Sequence, residues 1–247
     1  MNKVTPPLFQ HKWLIMSLML NLVLTALIVF IGGYKTNFFN RNLARYGLVE
    51  LNPKQRRDYY CIKGWNNSFA KLGVDFDVVF FGNSITAGSD FREYFPEVSI
   101  CNLGYPGDEI DGMILRIPAI QGVHPKKLFV MAGINGLKQM SEEVFKDKYK
   151  SLIMALKDSL PGTQIYLQSI LPVNNTDFKE AYVDNGKIEK ANNIIKDLAN
   201  KNGCDYINLY DLYVRDGQMP KELSRDGLHL RPEAYSIWAE AIRPYMR

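Results

Sequence analysis

The sequence predicts an α/β protein with a central parallel sheet, preceded by one transmembrane helix. Three observations carry this. From residue 74 onward, short apolar runs alternate with stretches of helical periodicity. Those runs are apolar on both faces, as strands covered by helices on both sides must be. And the stretch from Leu14 to Ile31 contains no charge at all.

Taken in order, residues 1–12 are a tail carrying Lys3 and Lys12. Residues 13–33 are the expected anchor. At about 1.5 Å per residue its apolar stretch spans roughly 27 Å, close to the hydrocarbon thickness of a bilayer, and Trp13 suits the interface. A buried core helix is the rival reading, but the stretch has no polar face to meet water. A cleaved signal peptide has a shorter apolar region and a small-residue cleavage site, which is missing here. Residues 34–73 read as a basic stalk with a lead-in helix from Gln55 toward Lys71. Lysines and arginines flank the anchor on both sides, so charge does not set its orientation. A short tail before an apolar segment behaves as a signal anchor. The remainder is therefore expected outside the cytoplasm, in the periplasm or at the cell surface.

Residues 74–247 form the expected globular domain, and 174 residues are ample for one core. Strands are expected at 77–81, 98–101, 127–131, 165–171 and 206–209. Helices fit between them. Ile110 to Ile120 has apolar helical spacing. Ser141 caps a helix with Glu142 and Glu143 in its first turn, closed by Pro161 and Gly162. Ile188, Ala191, Ile194, Ile195 and Leu198 share one face of another helix, and Gly203 suits its C-terminal stop. Pro232 fits the first turn of a last helix.

A chain of 247 residues that is 47% hydrophobic and 23% charged is neither disordered nor collagen-like nor a small disulfide scaffold. Its three cysteines, Cys61, Cys101 and Cys204, form no C-x-x-C pair, so neither thiol chemistry nor structural zinc is expected. The net charge of +4 is unevenly spread. Tail and stalk hold the whole positive excess, leaving residues 74–247 at −4. A nucleic-acid partner thereby loses its support. The stalk instead suits anionic lipid headgroups.

In open α/β sheets, ligands bind beyond the C-terminal strand ends. The first strand runs into Gly82-Asn83-Ser84-Ile85-Thr86, the second into Asn102-Leu103-Gly104, the third into Gly133-Ile134-Asn135-Gly136. The fifth is followed, after a loop, by Asp226-Gly227-Leu228-His229-Leu230. A serine, a glycine, an asparagine and an Asp/His pair should therefore converge on one edge. Together they are parts for acyl transfer. A hydroxyl needs a base to become a nucleophile, an imidazole can take its proton, and a carboxylate fixes the imidazole tautomer. Asp226 lies three residues before His229, so one turn can present both. Backbone N–H groups of Ser84 and Gly104, with the Asn135 amide, are candidate oxyanion donors. Of the three histidines, His11 is in the tail and His124 enters the third strand from the wrong edge, which leaves His229. The chain has no G-x-S-x-G elbow, P-loop, dinucleotide fingerprint or H-E-x-x-H metal motif.

These four blocks, the second of them taken with Gly107, resemble those of the SGNH, or GDSL-type, serine esterases and acylhydrolases, in order and across about residues 74–247. The resemblance implies a three-layer flavodoxin-like fold, an acyl-serine intermediate and no cofactor; no metal is expected either, because three histidines are too few for a typical metal cluster. It also implies an oxyanion hole of Ser84, Gly104 and Asn135 beside the triad Ser84, Asp226 and His229. Two positions depart from the pattern: Asn83 stands where the family's name has Asp, and Gly136 where an Asp often follows the asparagine.

The expectation is a membrane-anchored carboxylic-ester hydrolase acting on a small-molecule or glycan ester, with short acyl groups such as acetyl on carbohydrate. Lysophospholipase or thioesterase activity and sugar O-acyl transfer are rival chemistries on the same fold. A non-catalytic carbohydrate-binding protein on a hydrolase fold is the rival from another class, and the intact Ser/Asp/His set argues against it.

Overall fold

The computed structural model describes residues 75–176 and 183–246. The expected tail, anchor and stalk (1–12, 13–33 and 34–73) lie outside the described residues. Among the described residues, no helix is long and apolar enough to cross a membrane.

The strand-helix alternation folds as the periodicity requires. The elements are β1 (Val78–Gly82), α1 (Ser84–Ala87), β2 (Ile100–Gly104), α2 (Ile110–Gln121), β3 (Lys127–Met131), α3 (Ile134–Leu137), α4 (Glu142–Ser159), β4 (Gln164–Gln168), α5 (Asn185–Asn202), β5 (Asp205–Ile207), α6 (Tyr210–Tyr213) and α7 (Tyr235–Ile242). All five strands are parallel, in the order β2-β1-β3-β4-β5. The expected helix caps are present. The Ser141 hydroxyl accepts from the Val144 N–H, and Gly203 closes α5 in the left-handed region at φ 65°. Strand ends differ by a few residues from the sequence expectation. β2 begins at Ile100 rather than Val98 and runs on to Gly104, and β4 stops at Gln168 rather than Leu171. The short helices α1, α3 and α6 have four residues each, too few to leave a periodic signature.

The sheet is the middle of three layers. Cross-strand register aligns Phe80 with Phe129 and Phe129 with Tyr166. Their rings stack at centroid distances of 5.1 and 4.6 Å. Phe91 lies on Phe80, Trp238 of α7 packs edge-on against Phe91, and Tyr245 covers Tyr166. The Trp238 indole also donates to Gln168 Oε1 at 2.6 Å, so the buried indole N–H has an acceptor. On the opposite face, Arg116 of α2 lies over Phe81, and α2, α4 and α5 pack side by side.

This topology positions the site. The chain moves outward from β1 to β2, then returns past β1 to β3. The crevice at such a switch point opens beyond the C-terminal ends of β1 and β3. Register brings Gly82, Gly104 and Met131 to one level, so the loops that follow leave from a common edge.

Candidate active site

Ser84 is the first residue of α1, directly beyond β1. The turn forms because buried Asn83 caps it, its Oδ1 accepting from the Ile85 N–H at 2.9 Å. Asparagine caps as well as aspartate, so the departure at this position leaves the turn intact. The Ser84 backbone N–H meets no acceptor among the described residues.

The Asp226–His229 segment is a closed turn. Arg225 N–H donates to His229 O at 2.8 Å, Gly227 N–H donates to Ser224 Oγ at 2.7 Å, and Gly227 takes φ 89°. The Asp226 carboxylate does two jobs. Oδ1 accepts from the Leu228 and His229 backbone N–H groups at 3.1 and 2.8 Å, while Oδ2 lies 2.8 Å from His229 Nδ1. Partial burial alone would raise the carboxyl pKa, but the His229 N–H, its imidazole and the Leu228 N–H outweigh it and hold the value at about 2. An ionised carboxylate only accepts. His229 Nδ1 therefore carries the proton, and Nε2 is the acceptor. Nε2 lies 2.9 Å from Ser84 Oγ, 145 residues away in sequence. A buried tie supports this encounter: the Tyr235 hydroxyl of α7 donates to Ile85 O at 2.7 Å, joining the helix after His229 to the turn that carries Ser84.

Asn135 projects from α3, whose entry needs Gly133 at φ 119°. A Cβ there would lie 2.8 Å from the Phe145 ring. The Asn135 amide donates one hydrogen to Asp108 O at 2.7 Å and retains a second. At Gly136 a Cβ would run into the end of the Met140 side chain and lie 3.4 Å from a Glu109 carboxylate oxygen. An aspartate there would crowd both groups, and Asn135 is held by Asp108 instead.

Gly104 is placed differently from the sequence expectation. Its N–H donates to Asn102 Oδ1 at 2.9 Å and so already has an acceptor. The Asn102 amide in turn donates to Thr86 O at 2.9 Å and Ser89 O at 2.7 Å. Gly104 is a glycine because α1 presses against it. A Cβ would lie 2.6 Å from Ala87 Cα and 2.7 Å from the Thr86 carbonyl carbon, which are backbone atoms that cannot swing aside. Gly107, three residues on, has φ 76°, open space at its Cβ position and an N–H with no acceptor among the described residues. Its sequence signal is its place in the same glycine block as Gly104; Asp108, the next residue, holds Asn135 through its carbonyl. Gly104→Ala should cost about 1–3 kcal/mol of stability by overpacking. By displacing the Ser84 turn it should also lower kcat/KM for a short ester about 100-fold. Thermal melts and p-nitrophenyl acetate hydrolysis measure the two effects.

Residues 80–237 match the model of the GDSL-like lipase/acylhydrolase family. Among solved structures, the chain is similar to a protein from Streptococcus pneumonia at 22% identity and TM-score 0.70, over 87% of this chain and 99% of that one. It is also similar to a GDSL-like lipase from Bacteroides thetaiotaomicron at 22% identity and TM-score 0.65, over 75% of this chain and 96% of that one. An acetyl xylan esterase matches at 22% identity and TM-score 0.59, over 69% of this chain and 99% of that one. At such identities the likeness is one of fold. No curated protein sequence matches the chain.

Proposed function

Since the chain belongs to the GDSL-like lipase/acylhydrolase family and is thereby a carboxylic-ester hydrolase, we propose that it works through an acyl-serine intermediate and acts on short acyl esters, acetyl in particular, of carbohydrate. The observation that carries the mechanism is the unbroken line Ser84 Oγ, His229 Nε2, His229 Nδ1, Asp226 Oδ2, with contacts of 2.9 and 2.8 Å. Ser84 Oγ attacks the ester carbonyl carbon as its proton passes to Nε2, and the carbonyl π pair moves onto oxygen. The resulting oxyanion meets the Ser84 N–H, the second Asn135 amide hydrogen and the Gly107 N–H, which takes the donor role expected of Gly104. The C–O bond to the alcohol then breaks, and Nε2 returns the proton to the leaving oxygen. Water repeats the sequence on the acyl-serine and releases the acid.

The acetyl preference is supported by the acetyl xylan esterase among the structural neighbours. An ester series from acetyl to long-chain p-nitrophenyl esters tests it with the full-length chain. Highest kcat/KM at acetyl supports the reading, and a rise with chain length would replace it with a lysophospholipase or thioesterase.

Residues 13–33 are the proposed single-pass anchor, holding the enzyme at the membrane lipid with its catalytic domain outside the cytoplasm. The support is the uncharged run from Leu14 to Ile31 behind a short tail. A reporter fused after Arg247 and active only outside the cytoplasm is the expected result. Activity confined to the cytoplasm overturns the orientation.

A further inference from the structure

We infer that the buried Arg116–Asp108 pair is a positioning element of the active site, a single cross-piece holding the three strand ends that carry the oxyanion donors. The inference rests on the assignment of Ser84 as nucleophile. Arg116 lies on the buried side of α2 among Met113, Ile117 and Ile120 and has no exposed surface. A charge on that apolar stripe is the sequence signal of a special role. Its Nε and Nη2 both donate to Asp108 Oδ2, at 2.8 and 2.6 Å. Nη1 donates to Leu103 O at 2.9 Å, and Nη2 also reaches Gly82 O at 3.2 Å.

Each of these contacts sits beside a functional group. Gly82 is two residues before Ser84, at the end of β1. Leu103 precedes the glycine that α1 packs on, at the end of β2. Asp108 follows Gly107, and its carbonyl takes the Asn135 hydrogen from the end of β3. One guanidinium thus ties the nucleophile turn, the Gly107 loop and Asn135 together. The fork shape of arginine permits this, because its donors lie fixed in one plane and a lysine ammonium offers no such frame. The rings of Phe81 and Tyr105 flank the cation at 4.7 and 5.5 Å from their centroids. Gly112 makes room for the carboxylate, since a Cβ there would collide with Asp108 Oδ1. Stability alone does not call for such a pair. Apolar residues of similar volume commonly hold a core as well as a buried ion pair. Geometry is what they would not reproduce.

The test compares the full-length wild type with Asp108→Asn/Arg116→Met, which removes both charges and leaves neither buried alone. With p-nitrophenyl acetate, kcat is expected to fall about 100-fold with KM near wild type. Affinity for phenylboronic acid, which forms a tetrahedral adduct on Ser84, should weaken by a similar factor. Melting temperature and far-UV circular dichroism should stay near wild type. A merely structural pair would lower the melting temperature and spare kcat and boronate affinity in the folded fraction, and that result overturns the inference. If the double variant does not fold, Arg116→Lys decides. A folded lysine variant with reduced kcat at unchanged KM supports the inference, and one with wild-type kcat overturns it. No hydrolysis by the wild type would overturn the Ser84 assignment and this inference with it, so the two failures are distinct.

Discussion

Ser84→Ala is expected to reduce kcat/KM for p-nitrophenyl acetate by at least about 10⁴-fold while the fold is retained. The size follows from the mechanism. Without Oγ no acyl-serine forms, and the remaining donors can only assist attack by water. The hydroxyl is small and sits in a turn capped by Asn83, so its removal leaves the Asn83–Ile85 and Tyr235–Ile85 bonds in place. Mass spectrometry of wild type treated with a fluorophosphonate should show one adduct on the peptide containing Ser84, absent from the variant. Equal activity in the two proteins would falsify the nucleophile assignment.

Asp226→Asn is expected to cost about 10⁴-fold in kcat with little change in KM. The carboxylate faces Nδ1 at 2.8 Å and keeps the proton there, leaving Nε2 free to accept from Ser84. An amide whose N–H₂ faces Nδ1 turns that nitrogen into an acceptor, moves the ring proton to Nε2 and takes the base away. The substitution also has a stability signature. Burial raises the Asp226 carboxyl, but hydrogen bonds from His229 and Leu228 bring it from the ordinary 3.8 down to about 2. A depressed folded-state pKa stabilises the native protein above the unfolded value, and the contribution disappears as pH falls through the folded one. The difference in melting temperature between wild type and Asp226→Asn should therefore be full above about pH 4 and shrink toward pH 2. The acid limb of the kcat/KM profile at higher pH belongs to another group, since Asp226 stays ionised there. A limb centred near pH 2 with no other transition would contradict this.

How much of the site could be read in advance depends on how local each relation is. The Asp226–His229 turn closes within four residues, and spacing announced it. Ser84 and Asn135 follow strands whose apolar runs are plain in sequence, so their common edge followed from the general rule for parallel sheets. The two glycines were harder to separate. Gly104 and Gly107 both lie beyond the middle of β2 and both suit a close backbone approach. What divides them is whether α1 packs against the first and whether Asn102 takes up its N–H, and neither fact has a local signature. Arg116 shows the same limit. Its place on the buried stripe of α2 is visible, but its acceptors are 8, 13 and 34 residues away in the chain.

By itself, the sequence determined the α/β class, the positions of the five strands and the longer helices, the segments that carry Ser84, Asp226 and His229, and the charge asymmetry that leaves residues 74–247 acidic. These depend on hydrophobic period, turn chemistry and residue identity, which neighbouring positions carry. Only the tertiary structure decided the strand order, the 2.9 Å contact between Ser84 and His229, the different surroundings of Gly104 and Gly107, and the joining of the ends of β1 and β2 to Asp108 by Arg116. Those depend on which distant segments come within hydrogen-bond reach, and only the packing of the helices on the two faces of the sheet sets that distance.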